Sequence, residues 1–192
     1  KLLRDGENDD DFSHRRIFDR TLLTSSMRTH HTEESRRRFA ATPCGETEPV
    51  SRFFKLNPTG ICNTLRAGTG TDKGAFTSPR PIHPEKPRCI TVREAARLHS
   101  YPDWFRFHVT KWHGARQVGN SVPPLLAKAV ASSLLEGLNC RPSVPNGLVK
   151  LGDEQLLRFT PAQAAAYFGT RSDIMGRRLR VSTTTSRDSR AA

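Results

Sequence analysis

The chain has 192 residues, 35% of them hydrophobic, with mean hydropathy −0.60 and 31 Lys plus Arg against 19 Asp plus Glu, a formal net charge of +12. That length suits one domain or one and a half, and the low hydropathy implies surface that is exposed or awaits a partner. No apolar run approaches a membrane span, no secretory signal opens the chain, and four scattered cysteines without a CxxC pair argue against a zinc site or disulfide framework.

The basic excess fits a polyanionic partner, of which nucleic acid is the commonest. The cysteine usage fits a reducing cytoplasm. The first residue is Lys1 rather than Met, so the chain reads as a piece of something longer.

Residues 1–40 are dense in charge, with Asp9, Asp10 and Asp11, Arg15 and Arg16, and Arg36, Arg37 and Arg38. Apolar periodicity is slight, so extended loop with short strands at most is expected there. The triple arginine suits either phosphate contact or a solvated basic loop. His30 and His31 lack partners at ligand spacing, which speaks against a metal.

From residue 46 to 88 the composition changes. Residues 50–56 have strand-like composition, Asn57-Pro58-Thr59-Gly60 reads as a turn, and residues 61–65 read as the return strand. A small-residue loop, residues 66–74, follows, where backbone can approach a phosphate chain closely; Arg66 and Lys73 are placed to contact a phosphate or a base edge. A plain surface hairpin is the competing reading. Residues 80–84 form a proline-rich connector.

Residues 89–135 organise the rest. Thr91 and Glu94 stand three apart as a capping box, opening a helix through Ala95, Ala96 and Leu98 that Tyr101-Pro102 stops. Arg93 and Arg97 are expected in structural pairing, and Trp104, Phe105, Phe107 and Trp112 in packing. After an aromatic and basic loop, Gly119-Asn120-Ser121-Val122-Pro123-Pro124 reads as a second helix start, with prolines where amide donors are not needed. Val122, Leu126, Val130 and Leu134 then recur every fourth residue on one apolar face. Amides around Ser121 and Val122, at the positive end of a helix, would suit a carboxylate or phosphate; Asn120 also reads simply as a cap.

Residues 138–150 read as linker. Beyond them, Thr160-Pro161-Ala162-Gln163 is a second capping box. The spacing of Ala165 and Gly169, with Arg177, Arg178 and Arg180 following, suits a helix-turn-helix over 151–180, or a plain helical pair packing on the main domain. Residues 181–192 are Ser/Thr-rich and read as disordered.

The strings TVREAARLHSYPDWF and RQVGNSVPPLLAKAVA, in that order, resemble the ninth and tenth conserved motifs of DNA cytosine-5 methyltransferases. The resemblance covers about a quarter of the chain, and neither string follows from composition or periodicity. It implies an α/β chain, an incomplete piece of a Rossmann-like methyltransferase fold. Residues 1–88 would be an irregular, strand-containing target-recognition region and residues 89–137 the closing helices. It further implies that Asn120, Ser121 and Val122 lie against S-adenosylmethionine and that Thr64 and Leu65 lie against double-stranded DNA near an extruded base. The implied reaction is methyl transfer to C5 of cytosine, within a bacterial cytoplasm at the nucleoid, without metal or membrane.

The departures from the family pattern are large. Pro43-Cys44-Gly45 stands where a Pro-Cys-Gln nucleophile string would read Gln, and no Glu-Asn-Val, Phe-x-Gly-x-Gly or convincing Gln-Arg-x-Arg string occurs. Cys44 is therefore read as a loop cysteine. The chain is expected to be inert alone and to need an N-terminal catalytic half. A non-catalytic DNA-binding protein and a degenerate remnant are the alternatives.

Overall fold

The computed structural model describes residues 15–19, 21–68, 80–143 and 145–171. Their order is β1 (Arg15–Ile17), α1 (Glu33–Ala41), α2 (Val92–Leu98), α3 (Lys111–Asn120), α4 (Pro124–Gly137), β2 (Leu148–Lys150), a 3-10 turn (Glu154–Arg158) and α5 (Pro161–Tyr167). The chain divides into two compact units between Arg158 and Phe159, inside the 151–180 segment read from sequence as one tail. Lys73, Arg177, Arg178, Arg180 and residues 181–192 lie outside the described residues.

α1 corrects the expectation of extended loop. Thr32 caps it, its hydroxyl accepting from the Ser35 amide at 3.3 Å. Glu33 and Glu34 complement the positive end of the helix, while Arg36 pairs with Glu33 at 3.1 Å and Arg38 with Glu34 at 2.6 Å. Such exposed pairs contribute only about 0.3–0.5 kcal/mol each. What anchors the helix is Phe39, 2% exposed, packed with Ile82 and Cys89. The Lys55 ammonium closes the other end, donating to the carbonyls of Phe39 and Thr42 at 3.0 and 2.8 Å. Arg38 also reaches the buried Glu48, its Nε 3.3 Å from Oε1, so it is engaged within the fold.

The hairpin is displaced from its expected place. Thr47 bridges Phe54 antiparallel, and the next residue, Lys55, bridges the distant Ile82, which in turn bridges Cys89. Residues 61–65 form no strand. Their one buried side chain, Leu65, enters the main core with Leu56, Ile90, Val92, Ala95, Ala96, Phe107 and Val118. The turn at residues 57–60 forms as expected, closed by Gly60 N–H to the Asn57 carbonyl at 3.1 Å.

α2 begins on the expected capping box: the Glu94 amide donates to Thr91 Oγ1 at 3.1 Å and the Thr91 amide to Glu94 Oε2 at 2.7 Å. Arg88 adds a bidentate pair to Glu94, both bonds 2.8 Å. Burial alone would raise the Glu94 carboxyl, but the Arg88 bonds, the Thr91 amide and the Arg88 charge outweigh it and bring its pKa to about 2.

The segment after α2, expected as loop throughout, contains α3. Thr110 caps it, accepting from the His113 amide. Gly114 lets α3 close on α2: a Cβ there would lie 2.9 Å from Val92 Cγ1. The segment read as linker ends in β2, which pairs parallel with β1, Arg16 opposite Val149. In the second unit α5 opens on the expected capping box of Thr160 and Gln163. Among the described residues no helix is long and apolar enough to cross a membrane, and no group of three His, Cys, Asp or Glu could hold a metal ion.

Candidate functional site

The loop after α2 is set by one buried guanidinium. Arg93 is 2% exposed and, among the described residues, bonds carbonyls and a hydroxyl rather than a carboxylate. Its Nε donates to the Thr24 carbonyl at 3.0 Å, Nη2 to the Phe105 carbonyl and Thr24 Oγ1 at 2.6 and 3.1 Å, and Nη1 to the Pro102 carbonyl at 3.3 Å. Arg97 grips Asp103 through two bonds of 2.9 and 2.8 Å. Tyr101, Phe105 and Phe107 stack against one another at 4.8–5.1 Å between centroids. These residues serve structure, as their sequence context suggests.

On this frame the second predicted helix start is placed differently. Gly119 and Asn120 are the last two residues of α3, and Ser121 is its C-cap. The Ser121 amide donates to the Val118 carbonyl at 3.2 Å and its hydroxyl to the same oxygen at 2.7 Å. Asn120 therefore stands at the negative end of one helix rather than the positive end of the next. α4 opens with Pro123 as N-cap and Pro124 inside, neither of which has an N–H, and the Leu125 amide is given to Ser100 Oγ at 3.1 Å. Ser100, just past the His99 C-cap of α2, has a left-handed φ of 61° where the Tyr101 amide closes the helix end on the Ala96 carbonyl at 2.9 Å. The expected cluster of free helix amides is thus not formed by these residues. What faces outward is the exposed Asn120 side chain and Val122, 60% exposed, whose N–H has no acceptor among the described residues.

The apolar stripe of α4 is real but uncovered. Leu126, Val130 and Leu134 are 55%, 53% and 61% exposed, and no α4 residue is buried.

Thr64 and Arg66 are exposed on either side of the buried Leu65. This segment runs against the end of α3. A Cβ on Gly119 would sit 2.5 Å from Ala67 N, 2.6 Å from Arg66 C and 2.8 Å from Ala67 Cα. All three are backbone atoms, so only glycine admits the contact. The fold thereby seats the backbone of Arg66 and Ala67 on Gly119, the residue before Asn120, although the two lie far apart in sequence. Gly119 is a close-contact position that the sequence reading treated only as part of a helix start.

Cys44 is an exposed loop thiol whose Sγ lies 3.6 Å from the Pro84 carbonyl. Cys89 is buried, its pKa raised by that burial to about 11. Its amide donates to His31 Nε2 at 3.1 Å, and burial with nearby Arg80, Lys111 and Arg88 lowers the His31 pKa, keeping the ring neutral as that bond requires.

The Arg66–Ala67 backbone seated on Gly119 and the exposed apolar face of α4 are the features the family comparison bears on. The chain belongs to the C-5 cytosine-specific DNA methylase family, whose model matches residues 9–136. It is similar to Type II methyltransferase M.XorII of Xanthomonas oryzae pv. oryzae, 61% identical over 177 residues, 91% of this chain and 42% of that protein. It is also similar to DNA (cytosine-5)-methyltransferase 2 of Arabidopsis thaliana, 43% identical over 77 residues, 36% of this chain and 5% of that one. A solved structure described as a prophage-encoded DNA modification methyltransferase (E. coli) superposes with a TM-score of 0.53 at 45% identity, covering 61% of this chain and 30% of that one. The chain thus spans less than half the length of these relatives.

Proposed function

We propose that this chain is the C-terminal portion of a DNA cytosine-5 methyltransferase. It supplies DNA grip and one wall of the donor site, and is inactive without a catalytic half in the same or a separate chain. The observation that carries this reading is the backbone contact of Arg66 and Ala67 on Gly119. Through it the segment read as lying against DNA and the turn read as closing on the donor become one rigid piece. A shift of one is transmitted to the other, as coupling of target recognition to methyl transfer requires.

The donor set fits a partial site. The Asn120 amide and the Val122 N–H can hold one carboxylate, but two donors on an open surface are an edge and not a pocket. S-adenosylmethionine, when bound, would supply the methyl group. Asn120 and Val122 would orient its amino-acid end, and Ser121, with both N–H and O–H turned back to Val118, would hold the turn in shape. Thr64 and Arg66 would face DNA directly and Leu65 would support them from the core; Lys73 is proposed as a DNA contact from the sequence alone.

The uncovered face of α4 agrees with a partner half. Removing Leu126, Val130 and Leu134 from water at roughly 25 cal/mol per Å2 would favour docking by several kcal/mol. The proposed setting is cytoplasmic, beside the chromosome. The test is donor affinity in the reconstituted pair of halves. Asn120→Leu should weaken S-adenosylmethionine binding about tenfold or more, as expected for loss of a hydrogen bond to a charged group. Unchanged donor affinity would remove the assignment.

A further inference from the structure

A groove of about 610 Å3 lies between the Thr47–Phe54 hairpin and the segment holding Cys62, Asn63, Thr64 and Arg66. Its described lining includes three arginines, Arg52, Arg66 and Arg80, and no acid. Arg80 is half-buried and gives Nη1 to Thr29 Oγ1 at 3.1 Å. Arg52 and Arg66 are exposed.

Arg52 is held there by unusual means. Its φ is +58°, a left-handed conformation that costs a long side chain energy and that glycine would adopt freely. The loop is built around Glu48, 1% exposed, whose Oε1 accepts from the Val50 amide at 3.1 Å and Oε2 from the Ser51 amide at 2.5 Å. The Arg52 amide donates to the Glu48 carbonyl at 2.8 Å, and the Glu48 amide to the Phe53 carbonyl at 2.9 Å. Arg38 balances the carboxylate from below, 3.3 Å away. A buried carboxylate thus rigidifies a four-residue turn whose exposed product is a strained arginine at the rim of a cationic groove.

Building on the reading of this chain as a DNA methyltransferase portion, we propose that Arg52 is a DNA-phosphate contact. With Arg66 it straddles one strand of the duplex in this groove, and Glu48 is its positioning residue. A groove lined by cations and amide or hydroxyl groups, with aromatic Phe53 and Phe54 in its wall, suits a sugar–phosphate strand. The left-handed backbone is kept because it places the guanidinium, not because it stabilises the chain.

The test is binding of the full 192-residue chain to a random-sequence 20-base-pair duplex, measured from low to moderate salt, with melting temperature recorded for each variant. Arg52→Gln and Arg66→Gln should each reduce the slope of log affinity against log salt by about 0.9, the double variant by about 1.8, and Arg52→Lys should largely keep it. Arg36→Gln, which removes an arginine already paired with Glu33, should leave the slope unchanged. Arg52→Gly should raise the melting temperature while losing the same slope as Arg52→Gln. Glu48→Gln should weaken binding in the parent but add little when Arg52 is already Gln. An unchanged slope in Arg52→Gln and Arg52→Gly overturns the proposal, as does failure of the parent to bind the duplex at low salt. An unchanged slope in the Arg52 variants of a parent that binds sinks only the Arg52 assignment, whereas failure of the parent to bind would also count against the DNA grip of the proposed function.

Discussion

Gly119→Ala separates two opposed effects that the structure allows to be weighed. In a helix interior, alanine in place of glycine stabilises by about 0.5–1 kcal/mol through backbone entropy, and less at the last turn, where Gly119 stands. Against this, the new methyl would meet three backbone atoms of Arg66 and Ala67 at 2.5–2.8 Å. Backbone cannot swing aside as a flexible side chain does, so the segment must be displaced, at a typical overpacking cost of about 1–3 kcal/mol. The clash wins. Net destabilisation should be about 1–2 kcal/mol, or roughly 2–8 °C in melting temperature for a domain of this size. Gly137→Ala is the internal comparison, because a Cβ there meets nothing within 4 Å, and it should be neutral or slightly stabilising. The assay is thermal and urea unfolding of both variants followed by circular dichroism. Equal or greater stability in Gly119→Ala would refute the close approach on which the proposed joint site depends.

Arg93→Met should cost about 3 kcal/mol, because it leaves the carbonyls of Thr24, Pro102 and Phe105 without their shared donor; urea unfolding reads it, and a loss under 1 kcal/mol would show the clamp to be dispensable. The Glu94 carboxyl lies at about 2 in the fold against an ordinary 4.5. Its contribution is therefore complete above about pH 4.5 and lost as pH falls toward 2. At about 1.36 kcal/mol per pH unit the gap corresponds to roughly 3 kcal/mol. Glu94→Gln should flatten the acid limb of stability in that window, and an unchanged limb would place the acid sensitivity elsewhere. The double change Leu126→Ser and Leu134→Ser should leave the unfolding free energy of the chain within about 1 kcal/mol of the parent, since both side chains are exposed. It should nevertheless reduce activity of the reconstituted halves more than tenfold. A large stability loss in the chain alone would show that α4 is already covered.

What could be read from sequence was what is local. The boxes at Thr91/Glu94 and Thr160/Gln163 formed because each needs only four consecutive residues. α1 carried the same kind of signal, a Thr32 cap, two acids and arginines three and four residues on, but its one core residue, Phe39, gave no apolar period and the charge run masked it. α3 buries only Gly114 and Val118, so no periodicity announced it, and without it the turn at residues 119–122 was assigned to the wrong helix. The bridge of Lys55 to Ile82 and the seat of Ala67 on Gly119 join segments far apart in sequence, and no local propensity encodes them. The same holds for the groove. Arg52 looked like one basic residue in a strand-like run, and its significance depends on a buried glutamate and a left-handed φ. The residue types at Thr64, Arg66 and Asn120 were legible; the seating of Arg66 and Ala67 on Gly119 was not.

The most direct measurement is incorporation of labelled methyl from S-adenosylmethionine into cytosine of duplex DNA. It should be assayed with the chain alone, with a separately produced polypeptide bearing the family's Pro-Cys-Gln and Glu-Asn-Val motifs, and with the two combined. No incorporation by either alone and clear incorporation by the pair is the predicted result. Methylation by the chain alone, or a stably associated pair that transfers nothing, would contradict it.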